Sequence, residues 1–114
     1  MQVATEHTDR AVVLRVSGEV DVSTTPELRK HLDAIDPRSE QTVVDLTAVD
    51  LLDSSALGAL VGLRHRAGGR PVALLCRENS SPRRLLRLTG LENAFVVGSD
   101  LEALLTRLES GAVR

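Results

Sequence analysis

Val49-Asp50-Leu51-Leu52-Asp53-Ser54-Ser55-Ala56-Leu57-Gly58 joins two segments of different period, and its reading decides the fold. Upstream, Thr42 to Leu46 is short, rich in β-branched residues and bounded by polar ones, which predicts a buried strand. Downstream, a helix runs from about Ser55 to Ala67 and is closed by Gly68-Gly69. From Ala56 to Leu63 that helix offers no charged side chain, so it must lie largely buried against a sheet. Gly58 and Gly62, one turn apart, leave a smooth strip on it; close packing within the fold is favoured over a partner surface.

The same alternation continues in both directions. Ala11 to Ser17 places Val12, Leu14 and Val16 on one face and Arg15 and Ser17 on the other, a half-covered strand. Met1 to Glu6 is a weaker strand, joined to it through Thr8-Asp9-Arg10. Pro26 suits the first position of a helix, Thr24 and Glu27 have capping-box spacing, and Leu28, Leu32 and Ile35 form its apolar stripe before Pro37. Val72 to Leu75 is a further buried strand. Ser81-Pro82 opens a helix carrying Leu85, Leu86 and Leu88, ended by Gly90. Ala94 to Val97 is the last strand, and Ser99 with Glu102 predicts a second capping box for a helix through Leu108. The order β-β-α-β-α-β-α-β-α predicts an α/β fold. Its sheet is mixed but mostly parallel, with an N-terminal antiparallel hairpin strand and about four helices.

At 114 residues the chain fits one domain, 1–114, with a core that needs neither metal nor disulfide. Fourteen basic against sixteen acidic residues set no field that attracts nucleic acid. Phe95 is the only aromatic residue, so there is no stacking platform for bases. Cys76, the single cysteine, ends the run Val72 to Leu75 and reads as a buried structural thiol in a reducing compartment. The N-terminus lacks a signal peptide's basic and apolar regions, and Ala56 to Leu63 is too short to cross a bilayer. A cytoplasmic protein without direct membrane insertion is expected.

The usual catalytic constellations are missing from the sequence. There is no Walker A loop, no Gly-x-Gly-x-x-Gly after a strand and no Gly-x-Ser-x-Gly elbow. His7, His31 and His65 are scattered without metal-ligand spacing and read as surface residues. Lys30, the sole lysine, lies on the first helix, away from where a phosphoryl-receiver domain needs one. Neither an enzyme nor a cofactor site is expected.

What remains is the Asp-Ser-Ser triplet at the mouth of the apolar helix. Asp53 or Ser54 can cap it, accepting orphan amide hydrogens. Ser55, next along, has no necessary structural job, and its hydroxyl lies beside the positive end of the helix dipole. A phosphate there is tolerated by the helix, yet it sets a dianion beside Asp53.

Asp53-Ser54-Ser55-Ala56-Leu57-Gly58 resembles the Asp-Ser-[Ser/Thr]-Gly-Leu-Gly motif of STAS domains, the family of bacterial anti-sigma-factor antagonists. Gly18-Glu19-Val20-Asp21, Pro26-Glu27-Leu28-Arg29, Val43-Val44-Asp45-Leu46 and Thr89-Gly90-Leu91 resemble further elements of that family, in order and over nearly the whole chain. The resemblance implies a STAS-type fold and a phosphoacceptor at Ser55. It implies a partner surface containing Asp21, Asp53, Ser54, Ser55, Ala56 and Gly58. It also implies two partners: an anti-sigma factor that is a serine kinase, and a serine phosphatase that restores the unmodified state. By residue type alone, Asp21 is equally a turn residue before Ser23-Thr24-Thr25. Ala56 stands where the family most often has Gly, which firms the first turn. An alternative within the same resemblance is a stand-alone accessory subunit docking on the ATPase of a membrane transport complex.

Overall fold

A computed structural model describes residues 1–110. Five strands and four helices are found among them: β1 (Gln2–His7), β2 (Val12–Val20), α1 (Thr25–Asp33), β3 (Thr42–Leu52), α2 (Ser54–Arg66), β4 (Val72–Leu75), α3 (Ser81–Leu88), β5 (Val96–Gly98) and α4 (Leu101–Ser110). The strands lie side by side in chain order, β1-β2-β3-β4-β5. β1 pairs antiparallel with β2, and every later pairing is parallel.

Because each crossover steps the same way across the sheet, right-handed connections bring α1, α2 and α3 to one face. Leu28 and Leu32 of α1, Leu57, Leu60 and Leu63 of α2 and Leu86 of α3 share one core with Val12, Leu14, Val44, Leu46 and Leu74. The opposite face is covered by α4, whose Leu104, Leu105 and Leu108 pack on Ala11, Val13, Val43, Ala73, Leu75 and Val96. β2 is therefore not half-covered at its start. Val13, 2% exposed, lies beneath α4 while its neighbours face α1 and α2. α2 is buried along Ala56, Leu57, Ala59, Leu60 and Leu63, as a helix without charges over that stretch must be.

The two central strands run further than their apolar patterns suggest. β3 continues from Leu46 to Leu52, and β2 follows it to Val20 through register shifts at Arg15/Ser17 and Gly18/Glu19. Gly18 at φ +90° allows the irregularity without strain on a side chain. The prolonged ladder pairs Val20 with Leu52 and ends on a bond from the Asp53 N–H to the Val20 carbonyl, at 3.1 Å. That register sets the residues after β2 beside those after β3.

Both capping boxes are absent. Thr24 precedes α1 but makes no side-chain cap, and Glu27 instead meets Lys30 and His31. At α4 the Asp100 carboxylate, rather than Ser99, accepts the Ala103 amide at 2.9 Å, and Glu102 is engaged by Arg10. In each case a carboxylate nearby is the stronger acceptor, and each glutamate has a cation to pair with. Of the three leucines on α3 only Leu86 is buried, and Leu88 is 85% exposed. Cys76 is buried as expected, and burial pushes its thiol up to about 12. It is not a nucleophile at neutral pH.

Candidate functional site

Asp53 caps α2. Its Oδ1 accepts the amides of Ser55 at 3.0 Å and Ala56 at 3.4 Å, and also the Ser55 hydroxyl. Of the two cap candidates in the triplet, the carboxylate takes the role and leaves Ser54 exposed. Ser55 is half-buried in the first turn of α2. Its hydroxyl is not idle: besides donating to Asp53, it lies 3.1 Å from the hydroxyl of Thr25 at the start of α1.

Thr25 in turn donates to the Asp21 carbonyl at 2.7 Å. Asp21 organises the turn between β2 and α1. Its Oδ1 accepts the Ser23 hydroxyl at 2.7 Å and the Ser23 and Thr24 amides at 3.0 and 3.1 Å, while the Asp21 N–H donates to the Thr24 hydroxyl. The Ser55 and Thr25 hydroxyls, in contact with each other, thus bring the Asp53 cap and the Asp21 turn together at the mouths of two helices. Thr25 is the member that the sequence reading misses, because capping-box spacing draws attention to Thr24. The signal available was a second hydroxyl four residues after an aspartate.

Both carboxylates sit below the ordinary range. The Ser55 hydroxyl is the largest cause at Asp53, helped by the Ala56 and Ser55 amides and opposed by burial and by the charge of Asp21. At Asp21 the largest cause is the Ser23 hydroxyl, followed by the Thr24 amide. A lowered carboxylate stabilises the fold above its unfolded pKa of about 3.9, and that contribution is lost as pH falls through the lower folded value. Ser55→Ala removes the largest cause, so Asp53 should titrate at higher pH in the variant, as followed by carboxyl chemical shifts. An unchanged Asp53 titration would show that the serine does not hold it.

The six residues expected at a partner surface separate into three kinds. Ser54 and Gly58 are exposed; Asp21, Asp53 and Ser55 are half-buried; Ala56 is fully buried in the core and supports the surface without facing it. Of the two leucines before the triplet, Leu52 is buried at 3% exposed and Leu51 is 49% exposed. Val22, next to Asp21, is 74% exposed. The glycine strip is not the product of tight packing. A Cβ at Gly58 would meet only the tip of Arg29, at 3.8 Å, and one at Gly62 would meet nothing within 4 Å. The site is therefore an accessible face that carries the Ser54 and Ser55 hydroxyls beside the Asp53 and Asp21 carboxylates. Among the described residues, no group of histidine, cysteine or acidic side chains could hold a metal ion, and no helix is long and apolar enough to cross a membrane.

The STAS domain profile matches residues 2–104, and the chain belongs to that family. It is 32% identical to the anti-sigma F factor antagonist of Paenibacillus polymyxa, over 96% of both chains. It is 28% identical to the anti-sigma-F factor antagonist RsfB of Mycobacterium tuberculosis, over 89% of this chain and 84% of the relative. The crystal structure of an anti-sigma factor antagonist from Mycobacterium paratuberculosis superposes with a TM-score of 0.86 at 31% identity, over 95% of this chain and 93% of that one. The five-stranded mixed sheet with four helices is the fold shared with that structure.

Proposed function

We propose that this chain is an anti-sigma-factor antagonist: unmodified, it captures an anti-sigma factor that is also a serine kinase, and phosphorylation of Ser55 ends the capture. The observation that carries this reading is the position of the Ser55 hydroxyl. It stands in the first turn of α2, half-open to solvent, beside exposed Ser54 and Gly58 and with the Asp53 carboxylate against it. A phosphate there takes the place of a neutral hydroxyl that donates to Asp53. The hydrogen bond becomes a meeting of like charges, and about −1.5 to −2 units of charge are added to the face. The amide-rich end of α2 offsets part of that cost within the fold. A docked partner has no such compensation. A serine phosphatase then resets the protein by removing the phosphate.

The smooth strip on α2 gives a test that separates surface from stability. Gly58→Ala fills open space on a helix, so the fold should gain up to about 1 kcal/mol from helix propensity. If a partner backbone approaches along this strip, the added methyl should weaken capture of the kinase at least several-fold. Calorimetric titration with the anti-sigma kinase, beside a thermal melt, reads both. A variant that is firmer and binds as well as the parent would remove the strip from the interface. Recovery of a transporter ATPase in place of a kinase in a pull-down would overturn the signalling role itself.

A further inference from the structure

We propose that this protein carries a second site, a diphosphate-binding cleft around the N-terminal end of β5, independent of Ser55. The cleft has a volume of about 580 Å³ and is lined by Arg64, Arg70, Arg83 and Arg107, with Glu92 as its one carboxylate and Phe95 also in the lining. That volume lies in the range that holds small-molecule ligands. Four guanidiniums facing one carboxylate are out of keeping with a chain whose net charge is −2.

The pairing pattern sharpens the case. Arg83 is compensated, with Glu92 at 3.2 Å and Glu78 at 3.7 Å. The other three meet no carboxylate within 4 Å among the described residues. Each is held instead through one nitrogen by a backbone carbonyl: Arg64 Nε by Ala94 at 2.5 Å, Arg70 by Arg38 at 3.1 Å and Arg107 by Val97 at 3.1 Å. Such anchoring satisfies one donor of each guanidinium without neutralising it and leaves the remaining N–H donors for a ligand. Arginine forks of this kind suit phosphoryl oxygens. Three uncompensated cations call for more charge than one phosphate carries, hence two linked phosphoryl groups. Phe95 is only 6% exposed and the lining holds no other aromatic residue, so the cleft has no surface on which to stack a base. Recognition is of the diphosphate alone.

The cleft is also separate from the serine. Arg64 lies nine residues along α2 from Ser55, about 14 Å down the helix axis, and Arg70 and Phe95 lie just before β4 and β5, at the sheet end opposite the Asp53 turn.

Inorganic pyrophosphate is the probe, titrated into the intact protein by calorimetry in low salt with ADP, GDP, orthophosphate and an acidic peptide alongside. Pyrophosphate is expected to bind with Kd below about 1 mM, at least tenfold tighter than orthophosphate, and to weaken as salt screens the arginines. ADP and GDP should match pyrophosphate within a few-fold. In amide spectra of the unmodified protein, the shifts should centre on Phe95 to Val97 and leave Ser55 unmoved. Arg64→Gln with Arg107→Gln should lose at least tenfold in affinity, while the amide mapping needs no variant to fold. No binding at millimolar pyrophosphate, shifts centred on α2's N-terminus, an undiminished double variant, a tenfold preference for one nucleoside or stronger binding of the peptide would each overturn the proposal.

Discussion

Ser55→Asp is expected to weaken capture of the anti-sigma kinase by more than about a hundredfold, equivalent to roughly 3 kcal/mol, while the melting temperature stays within a few degrees of the parent. The two halves of this expectation come from different sides of the same residue. Facing inward, the position lies at the amide end of α2, where a negative group is favoured by the helix dipole and offsets its repulsion from Asp53. Facing outward, the same charge meets a partner fitted to a small hydroxyl among Ser54, Gly58 and Val22. Titration calorimetry and a thermal melt on one preparation decide it. Equal binding by parent and variant would end the switch, and a collapse in stability would mean that Ser55 is structural first.

Leu60→Ala should have the largest effect on the fold, a loss of about 2–5 kcal/mol and a fall in melting temperature of roughly ten degrees or more. Leu60 has no exposed surface and packs in the middle of α2 against the larger of the two cores. Its removal leaves a cavity that a helix held at both ends cannot close. Leu88→Ala is the control: the side chain is 85% exposed, and the change should stay within about 0.5 kcal/mol. Denaturant unfolding of the two variants gives the comparison. Similar losses would mean that α2 is not seated as described.

The alternation of strands and helices was legible because each apolar run has one period and a clear stop. Pro26, Gly68-Gly69 and Gly90 mark the boundaries that the structure also has, and Val72 to Leu75 is a strand in both readings. The upper half of β2 and β3 was not legible. Ser17-Gly18-Glu19 and Thr47-Ala48 break the apolar pattern, and only the bulged pairing between neighbouring strands carries the ladder on to Val20 and Leu52. That unseen extension is what sets Asp21 and Asp53 on either side of Ser55. Likewise, the capping spacing at Thr24/Glu27 and Ser99/Glu102 was present in the chain but outcompeted by Asp21 and Asp100, whose contacts depend on the folded turn. The second face of β2 was hidden because Val13 finds its partners on α4, some ninety residues away in sequence. Asp53 and Ser55 could be picked out by residue type at a helix start. Thr25 could be placed against the Asp21 turn from its spacing, but its contact with Ser55 emerged only once α1 and α2 were side by side.

Incubation of the protein with its anti-sigma kinase and ATP, followed by peptide mapping of the phosphorylated residue, bears most directly on the role of the α2 mouth. Phosphate should be found on Ser55, absent from the Ser55→Ala variant, and the phosphorylated protein should no longer hold the kinase. Phosphate on the more exposed Ser54 with Ser55 untouched, or a phosphorylated Ser55 that binds the kinase undiminished, would contradict it.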